Sequence, residues 1–151
     1  MTLIVGTSGD DYLLGSGIDA NISGDSGNDT LAGGHGNDTL SGGIGSDGLY
    51  GGLGDDRLKA INYAGSGGSD ELTGGLGNDV FDVGIYYGSN SNDEIKILDY
   101  SAEDSISLST TEQLYSVRGF AGSGDALTLI YNDNNDLVLS VSGTEHFFLS
   151  S

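Results

Sequence analysis

Apolar residues recur along this chain at an interval of nine. Leu13, Ile22, Leu31, Leu40, Leu49 and Leu58 keep the interval unbroken, and Leu72, Phe81 and Ile95 resume it after short interruptions. Most have a polar or small residue on at least one side, so three-residue stretches read out, in, out. That alternation predicts short β-strands with one side chain directed inward. The six residues between strands are rich in glycine, aspartate, asparagine and serine, which are turn formers.

The chain divides accordingly into blocks of nine at 6–14, 15–23, 24–32, 33–41, 42–50 and 51–59. Five extra residues, AINYA, fill 60–64; blocks 65–73 and 74–82 follow, then a weaker copy at 88–96. The apolar residue holds the eighth place. Aspartate holds the sixth place in every block but the second, where Ala20 stands. Two blocks make one turn of a flattened parallel coil, with a sheet on each face and loops along both edges. Adjacent turns lie about 4.8 Å apart. One edge then carries a column of Asp11, Asp29, Asp47, Asp70 and Asp93, and the other a column of Ala20, Asp38, Asp56 and Asp79.

Composition makes those columns a problem. Among 151 residues, Asp and Glu number 23 and Lys and Arg 4, for a net charge of −19. The length suits one domain. No basic footprint exists for nucleic acid, and anionic membrane surfaces are disfavoured. Glycine numbers 28 and proline is absent. So acidic a chain with few large apolar residues stays disordered unless something neutralises it. Stacked carboxylates repel, while glycine loops permit positive φ and crowd carbonyls together. A hard divalent cation reverses both effects. Calcium takes six to eight oxygen ligands, carboxylates and carbonyls among them. Turn formation alone would not place aspartate at an 18-residue stacking distance.

Cysteine is absent, which removes disulfides, Cys-ligated zinc, iron–sulfur clusters and thiol nucleophiles. The start, MTLIVGTSGDDY, has no basic n-region and only a short apolar run. No stretch approaches the roughly 18 apolar residues of a membrane-spanning helix. Export, if it occurs, is expected to proceed without an N-terminal signal peptide.

The blocks GGHGNDTLS, GGIGSDGLY, GGLGDDRLK and GGLGNDVFD fit the nonapeptide GGxGxDxUx of calcium-binding β-helix repeats. Over about residues 6–100 the chain resembles that family, the RTX or haemolysin-type calcium-binding repeats. The resemblance implies an all-β fold: a right-handed parallel β-roll (β-helix) over 1–99, interrupted at 60–64, and a C-terminal β cap over 100–151. It also implies a ligand rule. Each ion takes the second- and fourth-place carbonyls and the Asp of one loop, and the first- and third-place carbonyls and the Asp of the loop one turn on.

Carried over, the Asp11–Asp29 site uses the carbonyls of Thr7, Gly9, Gly24 and Ser26, and the Asp29–Asp47 site those of Asp25, Gly27, Gly42 and Ile44. The Asp47–Asp70 site uses Gly43, Gly45, Gly65 and Gly67, and an Asp70–Asp93 site follows on the same edge. On the other edge, the Asp38–Asp56 site uses Gly34, Gly36, Gly51 and Leu53, and the Asp56–Asp79 site Gly52, Gly54, Gly74 and Leu76. The Ala20–Asp38 pair, with Gly33 and His35, lacks one carboxylate and the loop glycine, Ile18 standing there, and is expected to be weak. About six to eight ions would bind; seven would leave a net charge of about −5. Metal binding and folding are then one equilibrium, set by affinities of roughly 10⁻⁴–10⁻³ M. The implied life history is that of a secreted bacterial module, exported by a type I apparatus, unfolded in the cytosol and folded outside the cell.

The composition changes after Tyr87. NDEIKILDYSAEDSISLS (92–109) resembles the segment that ends RTX rolls in secreted metalloproteases and alginate epimerases. That likeness makes Asp99 a ligand closing the last turn, with Asp104 a second and weaker candidate. LTLIY (127–131), DNNDLVLSV (133–141) and HFFLS (146–150) read as strands. They would cover the open end of the coil, and the segment is expected to carry an uncleaved C-terminal export signal.

No catalytic constellation emerges. His35 and His146 have no placed partner, HExxH is absent, and the carboxylates are committed to metal. The GxGxxG at Gly43–Gly48 is absorbed by the repeat. The chain is read as a non-catalytic folding, secretion and scaffold module. The alternative is a polysaccharide-binding module accessory to an extracellular enzyme, by likeness to alginate-epimerase modules. A polyanion needs a cationic groove, yet Arg57 and Lys59 fall on one sheet and Lys96 on the other. An ice-binding ladder is not expected either, because Thr30 and Thr39 fall on opposite sheets.

Overall fold

The structure is a computed structural model and describes residues 1–62, 68–85, 94–110, 114–117, 125–131 and 137–142. Every regular element in it is a strand. The first nine are β1 (Thr2–Val5), β2 (Tyr12–Leu14), β3 (Ala20–Ser26), β4 (Thr30–His35), β5 (Thr39–Ile44), β6 (Gly48–Leu53), β7 (Arg57–Asn62), β8 (Ser69–Leu76) and β9 (Val80–Ile85). Then come β10 (Glu94–Tyr100), β11 (Ser105–Thr110), β12 (Leu114–Val117), β13 (Asp125–Tyr131) and β14 (Leu137–Ser142).

Odd and even strands separate into two sheets. One runs β1-β3-β5-β7-β9-β11-β12, the other β14-β13-β10-β8-β6-β4-β2. The chain crosses between sheets after each strand of the repeat, which is a parallel β-roll. Its register is that of the repeat: Ile22 pairs with Leu40 and Leu40 with Leu58 in one sheet, Leu13 with Leu31 and Leu31 with Leu49 in the other. After AINYA the eighth places still meet, Leu49 with Leu72 and Leu58 with Phe81. Parallel pairing runs past residue 99, since β11 pairs with β9. Antiparallel strands then finish each sheet, β12 on β11 and β13 and β14 on β10. Of the three C-terminal strand readings, two correspond to β13 and β14, and 146–150 lies outside the described residues.

The core of the repeat is two facing columns of side chains, one from each sheet. Ile22, Leu31, Leu40, Leu49, Leu58, Leu72, Phe81 and Ile95 are all 0 % exposed, and Leu13 packs against them at the N-terminal end. Burial of such a side chain stabilises by about 1.5–3 kcal/mol. Each turn contributes few of them for the backbone it orders, so the core alone is thin support.

Of the three-residue strands expected from the apolar pattern, β2 keeps that length and those that follow it are longer. β4, β5 and β6 each span six residues and take in the first glycines of the following block. The loop backbone can continue the ladder there because turns approach closely: Gly34 pairs with Gly52, and a Cβ on Gly52 would overlap the Gly34 carbonyl oxygen. Side chains are excluded where the main chain pairs, which is why the apolar pattern underestimates the strands.

Candidate metal centre

The aspartates that the repeat aligns are joined turn to turn by main-chain hydrogen bonds. On one edge, Asp11 N donates to Asp29 Oδ1 (2.8 Å), Asp29 N to Asp47 Oδ1 (2.9 Å) and Asp47 N to Asp70 Oδ1 (2.9 Å). On the other edge, Ala20 N donates to Asp38 Oδ1 (2.7 Å), Asp38 N to Asp56 Oδ1 (2.7 Å) and Asp56 N to Asp79 Oδ1 (2.9 Å). One carboxylate oxygen thus reaches back to the preceding turn. The other, Oδ2, is buried without any hydrogen-bond partner in Asp29, Asp38, Asp47, Asp56 and Asp79. Those five residues are at most 3 % exposed. A buried carboxylate oxygen with no partner is strongly unfavourable, and five of them along the two columns form a set that a cation would satisfy.

The carbonyls supply the remaining donors. Second-place carbonyls face forward: a Cβ on Gly43, Gly52 or Gly75 would overlap the oxygen of Asp25, Gly34 or Gly52 one turn earlier. Fourth-place carbonyls do the same, Gly27, Gly36 and Gly54 lying under Gly45, Gly54 and Gly77. First-place carbonyls face back, Gly42 O against Gly24 and Gly74 O against Gly51. Third-place carbonyls also face back, Ile44 O accepting from Gly27 N, Leu53 O from Gly36 N and Leu76 O from Gly54 N, each at 2.9 Å. The orphaned oxygens converge with them: Asp29 Oδ2 and Gly42 O meet above Gly24, and Asp56 Oδ2 and Gly74 O above Gly51. Carboxylate and carbonyl oxygens thus line the space between successive turns, hard donors of the kind that calcium takes. Among the described residues no three His, Cys, Asp or Glu side chains form a metal cluster; the oxygens that crowd the loops are main-chain carbonyls beside carboxylates stacked in pairs.

The ends of the columns differ. Asp11 is only half-buried, and its Oδ2 accepts from Thr7 N (2.6 Å) and Thr7 Oγ1 (2.9 Å). His35 is exposed. Asp93, Gly65 and Gly67 lie outside the described residues. Asp99 accepts from Gly74 N (2.9 Å) and Gly75 N (2.8 Å), so its carboxylate bridges two main-chain amides. Asp104 stands in the column itself: Asp79 N donates to its Oδ1 (2.9 Å), as every earlier member receives its neighbour. Ser101 N occupies its Oδ2 at 2.7 Å.

A second ladder escaped the sequence reading. The fifth places are Asp10, Asp19, Asn28, Asn37, Ser46, Asp55, Ser69 and Asn78. Asn28 N donates to Asp10 Oδ1 (2.8 Å), Ser46 N to Asn28 Oδ1 (3.0 Å) and Ser69 N to Ser46 Oγ (2.9 Å). On the other edge Asn37 N donates to Asp19 Oδ1 (2.9 Å), Asp55 N to Asn37 Oδ1 (3.0 Å) and Asn78 N to Asp55 Oδ1 (2.9 Å). The signal was a side-chain oxygen at every fifth place. This ladder runs opposite to the sixth-place one, and together they fix the spacing of the loops.

Burial pushes the carboxylates up, aided by their neighbours and opposed by the amides they accept from. Asp56 rises to about 7, with Asp79, Asp38 and Asp55 adding repulsion; Asp47 and Asp79 rise to about 6. Asp29 and Asp38 are raised from the same first cause. A raised folded-state pKa means that the folded chain binds more protons than the unfolded one. The stabilisation is therefore full below about 4 and lost as pH rises through about 6 to 7. In calcium-free buffer, β-structure by far-UV circular dichroism should grow as pH falls from about 7 to about 5. Unchanged or falling β content would contradict this reading of the columns.

The family model of the RTX calcium-binding nonapeptide repeat matches the chain in four copies, over residues 3–17, 23–58 and 62–95. No curated protein matches the chain.

Proposed function

The chain belongs to the family of RTX calcium-binding nonapeptide repeats, and on that premise we propose that it is a non-catalytic module that folds on binding calcium outside the cell. The observation that supports this is the row of buried, partnerless Oδ2 atoms on Asp29, Asp38, Asp47, Asp56 and Asp79. Without cations the columns oppose folding; with them each loop pair is closed by charge-matched oxygen donors. A calcium-poor cytosol keeps the chain extended for a type I export apparatus, and millimolar external calcium folds it into a scaffold. Six to eight ions per chain is the proposed load, held by the loop carbonyls and aspartates of both edges.

Binding to a polyanionic polysaccharide is the weaker reading. Arg57, the cation best placed for it, is paired with Asp82 at 2.7 Å, and a charge-neutralised cation offers a polyanion little.

Isothermal titration calorimetry of the whole chain tests the proposal. Six to eight calcium ions should bind, with β-structure appearing over roughly 10⁻⁴–10⁻³ M free calcium. Uptake of one ion or none would defeat it.

A further inference from the structure

Asp25 is the one non-glycine residue at positive φ among the described residues, at φ 82°. It holds the second place of its block. The same place is glycine at Gly34, Gly43, Gly52 and Gly75, all between φ 101° and 116°. A Cβ is disfavoured in that conformation, and although aspartate tolerates it better than most residues, glycine adopts it freely. Local stability alone therefore favours glycine at 25. Nor does the side chain secure itself there: among the described residues the exposed Asp25 carboxylate makes no hydrogen bond or ion pair.

Its main chain lies in a metal site. Asp25 pairs with Gly43 in register, and a Cβ on Gly43 would overlap its carbonyl oxygen. That places it in the loop pair of Asp29 and Asp47. Asp29 is 2 % exposed, and its partnerless Oδ2 lies with Gly42 O above Gly24. The Asp25 carboxylate is also close enough to act on Asp29 electrostatically, together with Asp10 and Asp11.

We propose that Asp25 is an affinity-determining residue. Its carboxylate adds a further negative charge beside Asp29, which the sites on either side share, and makes that loop the first to take calcium. Calcium affinity follows the charge gathered at a site, and a charge just outside the ligands acts without touching the ion. The strained backbone is accepted in exchange for the field. This inference rests on the reading of the chain as a calcium module.

Calorimetric titration of wild type, Asp25→Gly and Asp25→Asn tests it, because both substitutes tolerate positive φ. The tightest calcium step should weaken about tenfold in both variants, and the difference should narrow at high salt. Asp25→Gly should at the same time raise the stability of the calcium-free chain in mild acid. If Asp25→Gly takes its first calcium as tightly as wild type or more tightly, the carboxylate has no such role. A wild-type chain that binds no calcium would overturn the module reading as well, whereas normal wild-type binding with unchanged variants overturns this inference alone.

Discussion

Replacing Asp56 by alanine is expected to remove two calcium ions, not one. Asp56 reaches both neighbouring turns: Oδ1 accepts from Asp38 N at 2.7 Å, and the partnerless Oδ2 meets Gly74 O above Gly51. The truncation strips a carboxylate from the Asp38–Asp56 and Asp56–Asp79 sites together. It also orphans the amide of Asp38, itself 1 % exposed, at about 1–3 kcal/mol. The calcium concentration at the folding midpoint should rise several-fold, and calorimetry should count two ions fewer. Asp56→Asn separates the causes, because it keeps an acceptor for Asp38 N while removing the charge. Asp11→Ala, at the end of its column, should lose no more than one ion. Loss of a single ion from Asp56→Ala would mean that the carboxylates are not shared between turns.

The central position of Asp56 was legible because two strict rules fix it. An apolar eighth place buries Leu58, and the sixth place then falls at the edge where loops stack. Both survive AINYA, since Asp47 N reaches Asp70 and Asp56 N reaches Asp79 across 23 residues. Asp104 was less legible for the same reason. It lies 25 residues beyond Asp79, and the stretch DYSAEDSIS around it lacks the glycines that mark a block. In their place Tyr100 is buried, its hydroxyl donates to Asp104 O at 3.0 Å, and its ring packs 6.1 Å from that of Phe81. Side-chain capping does there what glycine does in the repeat, and composition does not reveal it. The fifth-place ladder was legible in principle. Asp, Asn and Ser all read as turn formers, which hid the property they share, an oxygen that accepts the next turn's amide. Asp25 is the opposite case: a non-glycine second place whose strain is visible only once its φ is known.

The second large effect is removal of the metal. At neutral pH the columns are buried and densely anionic, and the chain carries −19. Each of the five orphaned oxygens would stay desolvated without a partner. The apolar core between the sheets is narrow, one inward column from each sheet in the repeat, and no disulfide assists it. Calcium-free folding at neutral pH therefore opposes the full repulsion with little support, and folding should be coupled to metal uptake. Partial occupancy should give partly folded rolls, since each turn contacts chiefly its neighbours. The C-terminal antiparallel strands are expected to lose structure with the roll that they extend.

Far-UV circular dichroism of the whole chain at neutral pH, in excess chelator and again after calcium is restored, tests this most directly. The account predicts a disordered spectrum in chelator and a β spectrum on restoring calcium, reversibly. A full β spectrum in chelator would contradict it.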